Sequence, residues 1–244
     1  MSFGLLSNSS RRISSRKSLY PTAIPASKSD IYQPTGTTRV LALSFDSGAL
    51  SKTGTWTVTT TGSPTYNLTG GLNSGGYVSG LSINSIYYQV SELANASSGA
   101  GYTFIAWYKG SQTGSSSYTI YSPTVPIFGD SRNSVWCGFG LTNGKILVSA
   151  DGSEVVGSST VANGSWNCLA WVYKSSNYVD GYVNGTKEIT DANLTAQTSN
   201  NRVDMIGNGY PYSGVVAPSA LDGIQIYSGA LTQAQILEIY QNGN

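Results

Sequence analysis

The chain of 244 residues contains no histidine. Without an imidazole it has no base for Ser-His-Asp or Cys-His catalysis, no histidine-ligated zinc site and no histidine pH switch. Cysteine is also scarce: Cys137 and Cys168 are too few for a disulfide framework or a four-cysteine metal site. Because both lie in apolar, strand-like runs, we expect small buried core residues, and a single bond between two strands is the alternative.

Charged residues make up only 10% of the chain, far below the share in an ordinary globular domain. Ser, Thr, Gly, Asn and Tyr take their place, and this composition favours strands and turns over long helices. The hydrophobic content of 39% is sufficient for a packed core. No apolar run approaches the roughly 20 residues that cross a bilayer, so we expect no membrane span.

The carboxylates are too scattered for glycoside hydrolysis, which needs two of them flanking the scissile bond. No alternating acidic cluster exists that would place several carboxylates on one face of a strand. Asp151 with Glu154, and Glu188 with Asp191, are expected at turns, where solvated charge is the ordinary role. We therefore expect that the protein is not an enzyme. The glutamates are Glu92, Glu154, Glu188 and Glu238.

Residues 1–38 differ from the rest of the chain in charge and in composition. They are rich in Ser and Pro, lack a hydrophobic period and contain one acid, Asp30, which indicates an extended basic arm. Phe3–Leu6 is too short for the apolar core of a secretory signal, and the basic cluster follows it, so no such signal is expected. The basic residues up to the first predicted strand are Arg11, Arg12, Arg16, Lys17, Lys28 and Arg39.

Four roles for the arm are open. It is either a solvated tail, a docking arm on a neighbouring subunit or acidic surface, an organelle transit peptide, or a nucleic-acid contact. A transit peptide would occupy residues 1–20, which are rich in Ser and Arg and free of acids. Basic residues without interleaved aromatics are a weak signal for nucleic acid, so no such partner is expected. A docking arm would make its contacts through Arg11, Arg12, Arg16 and Lys17.

From Arg39 onward, short apolar runs alternate with turn residues, which is typical of strands. Asn143-Gly144, Asp151-Gly152 and Asn184-Gly185 mark tight reversals between such runs. Consecutive antiparallel hairpins predict a two-sheet sandwich, because a parallel sheet would need helical crossovers. The predicted strands cover residues 40–45, 55–61, 76–83, 85–90, 102–108, 125–128, 134–141, 145–149, 167–173, 179–183, 186–190, 203–207 and 220–227.

One short helix is predicted at the C-terminus. Thr232 is a natural N-cap, with Gln235 three residues later as in a capping box, and Leu231 stands where a hydrophobic staple begins. Gly243 is a stop signal. The face that should pack on the sandwich consists of Ile236, Leu237 and Tyr240.

The stretch Trp166–Gly185 resembles the laminin-G-like pattern, in which a Trp precedes an Ala-containing apolar strand and a short loop leads to a Tyr-x-Asp/Asn-Gly hairpin. Leu43–Ser47, Tyr102–Lys109 and Ala220–Gly243 are similar to other strands and the closing helix of that family, in the same order. The resemblance spans about residues 39–244. It implies an all-β concanavalin-like jelly roll of two antiparallel sheets, whose members bind glycans or proteins, serve in surface and virion proteins, or in some cases bind calcium.

Sugar sites on such sandwiches combine aromatic faces with polar side chains. The candidate here is the Gly-rich loop in which Tyr210 and Tyr212 flank a proline near Asn208, although these rings would equally suit a strand edge or a subunit contact. No cofactor is expected except Ca²⁺, for which Asp130 and Asp222 are the starting ligands. Pinning a turn is the alternative role of Asp222.

Two functions follow. The first is a non-catalytic subunit of a large assembly, such as a viral capsid, vertex or decoration protein, with glycan attachment as an added role. The alternative is an extracellular lectin-like carbohydrate-binding module. The expected partners are neighbouring subunits, reached through the arm, and cell-surface glycans, and the expected location is a virion or an extracellular surface.

Overall fold

The computed structural model describes residues 31–83, 85, 87–90, 101–113, 123–129, 137–150, 153–174, 178–193, 203–208 and 215–243. They form antiparallel strands, a short 3-10 turn at Leu72–Ser74 and one C-terminal helix, α1 (Gln233–Gly243). The strands are β1 (Thr38–Ser44), β2 (Ser51–Thr53), β3 (Val58–Thr61), β4 (Thr65–Asn67), β5 (Tyr77–Ser79), β6 (Tyr87–Val90), β7 (Tyr102–Lys109), β8 (Val125–Gly129), β9 (Cys137–Thr142), β10 (Lys145–Ala150), β11 (Ser153–Thr160), β12 (Asn167–Tyr173), β13 (Tyr178–Val183), β14 (Thr186–Asn193), β15 (Met205–Ile206) and β16 (Ala220–Ser228).

The strands build two stacked sheets. Sheet A runs β14-β13-β12-β7-β16-β1-β2, with β5 also paired to β16 and β4 paired to β5. Sheet B runs β11-β10-β9-β8-β15-β6-β3. Every one of these pairings is antiparallel, which confirms the predicted two-sheet sandwich.

Aromatic rings from both sheets meet in the main core. Phe104 of sheet A lies 5.4 Å, centroid to centroid, from Phe128 and 5.3 Å from Phe139, both in sheet B. Trp171 stacks on Phe139 at 5.9 Å, and its Nε1–H donates to the carbonyl oxygen of Leu147 at 3.0 Å. This bond satisfies the buried indole and ties the sheets together, since a buried donor left unpaired would be costly.

The middle of sheet A is buried on both faces. All seven residues of β12 are buried, because Leu169 and Trp171 face sheet B while Cys168 and Ala170 belong to a second cluster on the outer face. Cys168 is a free thiol in this second cluster, and burial raises its pKa to about 12. The buried-core interpretation of Cys168 is therefore confirmed, and the bond between two strands is not formed.

Helix α1 provides the cover for that outer face. The predicted capping box is present: Thr232 N–H donates to Gln235 Oε1 at 2.9 Å, and Gln235 N–H donates to Thr232 Oγ1 at 3.3 Å. The predicted packing face is wrong at one position, because Leu237 is 39% exposed whereas Ile239 is fully buried. The helix is rotated so that Leu237 lies over the turn at Gly185 instead of over the sheet.

The Asn-Gly reversals have the backbone that a tight hairpin needs. Asn143 and Gly144 have φ of 49° and 72°, and Asn184 and Gly185 have φ of 51° and 79°. Asn184 has a further role, because its Oδ1 accepts from Cys168 N–H at 2.9 Å and holds the hairpin against the start of β12. Asp151-Gly152 lies outside the described residues.

The end of the N-terminal segment contacts the sandwich. The Tyr32 hydroxyl donates to Glu238 of α1, and the Tyr227 hydroxyl donates to the Tyr32 carbonyl at 3.2 Å. Arg39 donates to the Ile31 carbonyl and, at 3.2 Å, to a side-chain oxygen of Gln225. Arg11, Arg12, Arg16 and Lys17 lie outside the described residues, so the arm over 1–38 and its partner stay predictions.

Glu188 links the edges of the two sheets. A bulge in β11 pairs Lys145 with Thr160 but Leu147 with Val156, so several N–H groups in between leave the ladder. Glu188 of β14 accepts two of them, from Ser158 at 2.7 Å and from Ser159 at 2.8 Å. The expectation of a solvated turn charge is therefore wrong for Glu188, and the Ser-rich β11 was not predicted as a strand.

A charged cluster holds the outer face near β13. Asp180, whose side chain is only 3% exposed, contacts the ammonium groups of Lys174 at 2.8 Å and Lys187 at 2.7 Å. Its other oxygen accepts from Asp191 N–H at 2.9 Å. Burial raises the pKa of Asp180, but these hydrogen bonds and charges outweigh burial and hold the pKa below its usual value.

No helix in the described part of the chain is both long and apolar enough to cross a membrane.

The unfolding free energy should be flat from about pH 5.5 to 8 and fall below about pH 5, in the range where carboxylates titrate. It should also fall above about pH 8.5, where the unfolded chain ionises a thiol that Cys168 keeps protonated when buried. Asp180 and Glu188 both have pKa values lowered in the folded state, so their stabilisation is complete above the unfolded pKa and lost as pH falls. Lys174 and Lys187 have raised pKa values and lose theirs only at alkaline pH. Glu154, whose pKa burial raises, opposes the acid slope in part.

Urea unfolding at a series of pH values measures this profile. Glu188→Gln should cost about 1 kcal/mol at pH 7 and flatten the acid slope, because it keeps the side-chain shape and one acceptor oxygen but removes the titrating negative charge. A stability change between pH 6 and 8, where histidine would titrate, would contradict the account.

Candidate functional site

A cleft of about 290 Å³ opens on the outer face of sheet A. Its floor comes from one register row across three strands, in which Ala220 of β16 pairs with Ser79 of β5 on one side and Lys109 of β7 on the other. Tyr77 lies on the same face as Ser79, since residues two apart in a strand point the same way. The small Ala220 between two longer side chains creates the depression.

Loops from distant parts of the chain form the walls. Gly164 N–H donates to the carbonyl oxygen of Gly110 at 2.9 Å, which fixes the loop before β12 against the loop after β7. Gln112 holds a third segment in place, because its Nε2 donates to the Ala217 carbonyl at 2.7 Å and its Oε1 accepts from Ser219 N–H at 3.2 Å. The residues that line the cleft are Tyr77, Ser79, Lys109, Gly110, Ser111, Gly164, Ser219 and Ala220.

The buried hydroxyl of Tyr108 anchors Gln112 from inside the domain. It donates to Gln112 Oε1 at 2.8 Å, and burial raises the pKa of Tyr108 to about 12, so the hydroxyl remains a donor over the physiological range. Gly110 is required beside it, because a Cβ at this position would lie 2.3 Å from the Tyr108 hydroxyl oxygen. A residue of the hydrophobic core, Tyr108, therefore holds the wall of the cleft that Gln112 organises.

Trp166 positions the two largest side chains of the cleft. Its ring contacts Tyr77 edge to face, with centroids 5.8 Å apart and planes at 75°, and the Lys109 ammonium lies 5.9 Å from its centroid. The indole Nε1–H donates to the Gly70 carbonyl at 3.0 Å, which fixes the ring orientation. Trp166 itself packs against the outer cluster, so it supports the cleft from behind.

The cleft offers an aromatic ring, a cation and hydroxyl groups. Ser79, Ser111 and Ser219 provide the hydroxyls, and Ser79 Oγ already accepts from Asn67 Nδ2 at 2.8 Å, which leaves its proton available for donation. None of the described residues that line the cleft is a carboxylate. Nor do the described residues contain a group of three or more His, Cys, Asp or Glu side chains placed to hold a metal.

The predicted site residues either lie away from the cleft or fall outside the described residues. Tyr210, Tyr212 and Asp130 fall outside the described residues, and Asn208 is fully buried after β15. Asp222 is also fully buried, with Oδ2 accepting from Leu72 N–H at 3.0 Å and Oδ1 accepting from Gly223 N–H at 2.9 Å. These contacts fit the turn-pinning alternative, and a calcium site at Asp130 and Asp222 stays a prediction.

Sequence reasoning missed Tyr77 and Lys109 as site residues. Trp166 and the strand ending at Lys109 were both part of the family resemblance, so one signal was present. Nothing in the sequence indicated that β5 would lie beside β16, and the row Ser79, Ala220 and Lys109 depends on that pairing.

Several solved structures share this fold at low identity. Domain 4 of AbnA, a GH43 extracellular arabinanase from Geobacillus stearothermophilus solved in complex with arabinotriose, has a TM-score of 0.58 and 19% identity, over 84% of this chain and 100% of that one. The binding domain of Paraclostridial Mosquitocidal Protein 1 has a TM-score of 0.62 and 13% identity, covering 83% of this chain and 52% of that one. The botulinum neurotoxin serotype D binding domain has a TM-score of 0.59 and 14% identity, covering 84% and 51%.

This chain therefore spans about half the length of the two toxin binding domains. A comparison with curated proteins finds no match. The sequence profile of the concanavalin A-like lectin/glucanases superfamily, in its Laminin_G_3 form, matches residues 83–237, which is more than half of the chain. The chain belongs to the concanavalin A-like lectin/glucanases superfamily.

Proposed function

We propose that this chain is a non-catalytic carbohydrate-binding module and that the cleft around Tyr77 is its binding site. The observation that carries the proposal is the half-buried Tyr77 ring, held edge to face by Trp166 at 5.8 Å in a cleft rich in serine hydroxyls. A sugar presents apolar C–H faces and a rim of hydroxyl groups, so an aromatic face beside hydroxyl donors and acceptors matches it chemically. The arabinotriose complex of a protein with the same fold supports the ligand class.

The dimensions of the cleft suit a small part of a glycan. Its volume of about 290 Å³ lies near the lower limit of small-molecule pockets, about 300 Å³. It therefore has room for a terminal sugar unit and not for a long chain segment. A single stacking ring with a few hydroxyl contacts predicts modest affinity for one site, which repeated copies would raise through avidity.

A catalytic role is not supported by the carboxylates whose contacts are described. Hydrolysis of a glycosidic bond needs two carboxyl groups flanking it, and the cleft has none among its described lining residues. Backbone N–H groups donate to the carboxylates of Asp180, Glu188 and Asp222, and Asp180 also contacts two lysines. Glu238 accepts a hydrogen bond from Tyr32. Each of these acids has a structural partner.

A second role, as a subunit of a large assembly such as a viral capsid, vertex or decoration protein, rests on the N-terminal arm. Residues 1–30 contain Arg11, Arg12, Arg16, Lys17 and Lys28 against one acid, Asp30. Tyr32 of the arm contacts α1, so residues 1–30 continue from a point beside that helix. A basic segment leaving from a fixed point suits an acidic neighbouring subunit. Both roles are compatible, and a virion or extracellular surface is the proposed location.

Tyr77→Ala should weaken glycan binding about tenfold or more, because it removes the stacking ring. Ala220→Leu should have a similar effect by filling the depression between Ser79 and Lys109. A glycan array followed by calorimetry on the strongest hit measures both. Tyr87→Ala is the matched control, since Tyr87 is a half-buried tyrosine on sheet B. Equal losses in the Tyr77 and Tyr87 variants, or binding that survives both cleft variants, would contradict the proposal.

Removing residues 1–30 separates the two roles. The cut leaves Ile31 and Tyr32 in place, so the contacts that hold the segment on the sandwich are kept. If the arm docks on neighbouring subunits, only the full chain should sediment with a large particle from its native source, and glycan affinity should be unchanged in both. Co-sedimentation of the shortened chain would reject the docking arm.

A further inference from the structure

Lys109 gives the cleft a localised positive charge. It is the charged member of the described lining residues, and it occupies the floor row beside Ala220. Within the described part of the chain, no carboxylate forms an ion pair with it; the pairs found there join Lys174 and Lys187 to Asp180 and Asp191. The charge of Lys109 is therefore not neutralised by a described neighbour.

The contact that holds Lys109 leaves its hydrogen-bond donors available. The ammonium lies 5.9 Å from the Trp166 ring centroid, within the range of a cation–π interaction. Such a contact acts through the charge and uses none of the three N–H donors. By contrast, Lys174 and Lys187 donate to carboxylates, and Lys52 donates to the Trp56 carbonyl. Trp166 thus helps to position Lys109 and leaves the N–H donors of its ammonium group available for a ligand.

The charge of Lys109 and the ring of Tyr77 line the same cleft and share one neighbour, Trp166. Trp166 contacts both Tyr77 and Lys109, so one indole helps to position the aromatic ring and the cation that line the cleft. A ligand bound in the cleft against Tyr77 shares that cleft with the Lys109 ammonium. A neutral sugar would leave that partly desolvated cation without a counter-charge, whereas an anionic substituent would satisfy it.

We propose that the cleft selects glycans ending in an acidic sugar, with the anionic group at Lys109 and the sugar ring against Tyr77. This inference rests on the proposed function of the cleft. The shared chemistry of the ligand is a carboxylate or a sulfate ester on a sugar ring. Lysine recognises both as a point charge, and it lacks the planar fork with which arginine would distinguish a carboxylate by two parallel bonds.

The preference should be measurable as a difference between matched ligands. A charge-assisted hydrogen bond at a half-buried site contributes enough for about a tenfold change in affinity after the cost of desolvation. The acidic glycan should therefore bind about tenfold more tightly than its neutral counterpart at low salt. Added salt should reduce that ratio, because ions screen the Lys109 charge.

The test uses the full chain on an array of glycan pairs that differ only in one terminal group. Each pair presents the neutral oligosaccharide beside its uronate or its sulfate ester, and calorimetry then measures the strongest pair. Lys109→Met keeps the length of the side chain but removes the charge, so it should bring the acidic glycan down to the affinity of the neutral one. Lys145→Met, which removes a half-buried lysine from sheet B, is the matched control and should keep the preference.

The outcomes separate this inference from the function beneath it. Preference for uronates alone, sulfates alone or both supports it, provided that Lys109→Met abolishes the preference and thermal unfolding shows the variant folded. Equal binding of neutral and acidic glycans, with loss in Tyr77→Ala, overturns the acidic selectivity and leaves the binding module standing. An acidic preference that survives Lys109→Met also overturns it. Absence of binding to any glycan removes both.

Discussion

Burial of sheet A on both faces is the constraint on which the rest of the structure depends. Strand β12 has no exposed residue, so one face needs sheet B and the other needs a separate cover. Helix α1 and the segment around Tyr32 provide that cover, and Ile236 and Ile239 close over Cys168 and Trp107. The capping box at Thr232 matters for this reason, because it starts the helix at the point from which it can lie along the sheet.

The cleft begins where this cover ends. Gly243, the last helical residue, lies against Trp107, and Lys109 follows two residues later on the same face of β7. Beyond that point the described residues around the outer face are loops, which the bonds at Gly164 and Gln112 hold in place beside Ala220. The site therefore lies just past the end of α1, and Trp166 gives it a fixed shape by contacting Gly70, Tyr77 and Lys109.

Sequence patterns predicted the apolar and turn-rich parts of the fold and missed the polar ones. The strands around Phe104, Trp171 and Ile226, the Asn-Gly hairpins and the helix start follow from local chemistry, which the chain shows directly. Strands β2, β4 and β11 have little apolar alternation, because they lie at edges where Ser and Thr suffice. The cleft was missed because it depends on strand pairing between distant segments, which the sequence does not show. The loop with Tyr210 and Tyr212 was chosen because its aromatic residues are close together in the sequence.

The most direct test of the account is to map the binding surface by NMR. Backbone amide shifts of the labelled full chain are followed during titration with the glycan that binds best. The account predicts that the largest shifts cluster at Tyr77, Lys109, Gly164 and Ala220, which belong to different segments and meet only in the cleft. A cluster confined to the loop from Asn208 to Tyr212, or to the outer face of sheet B, would contradict it.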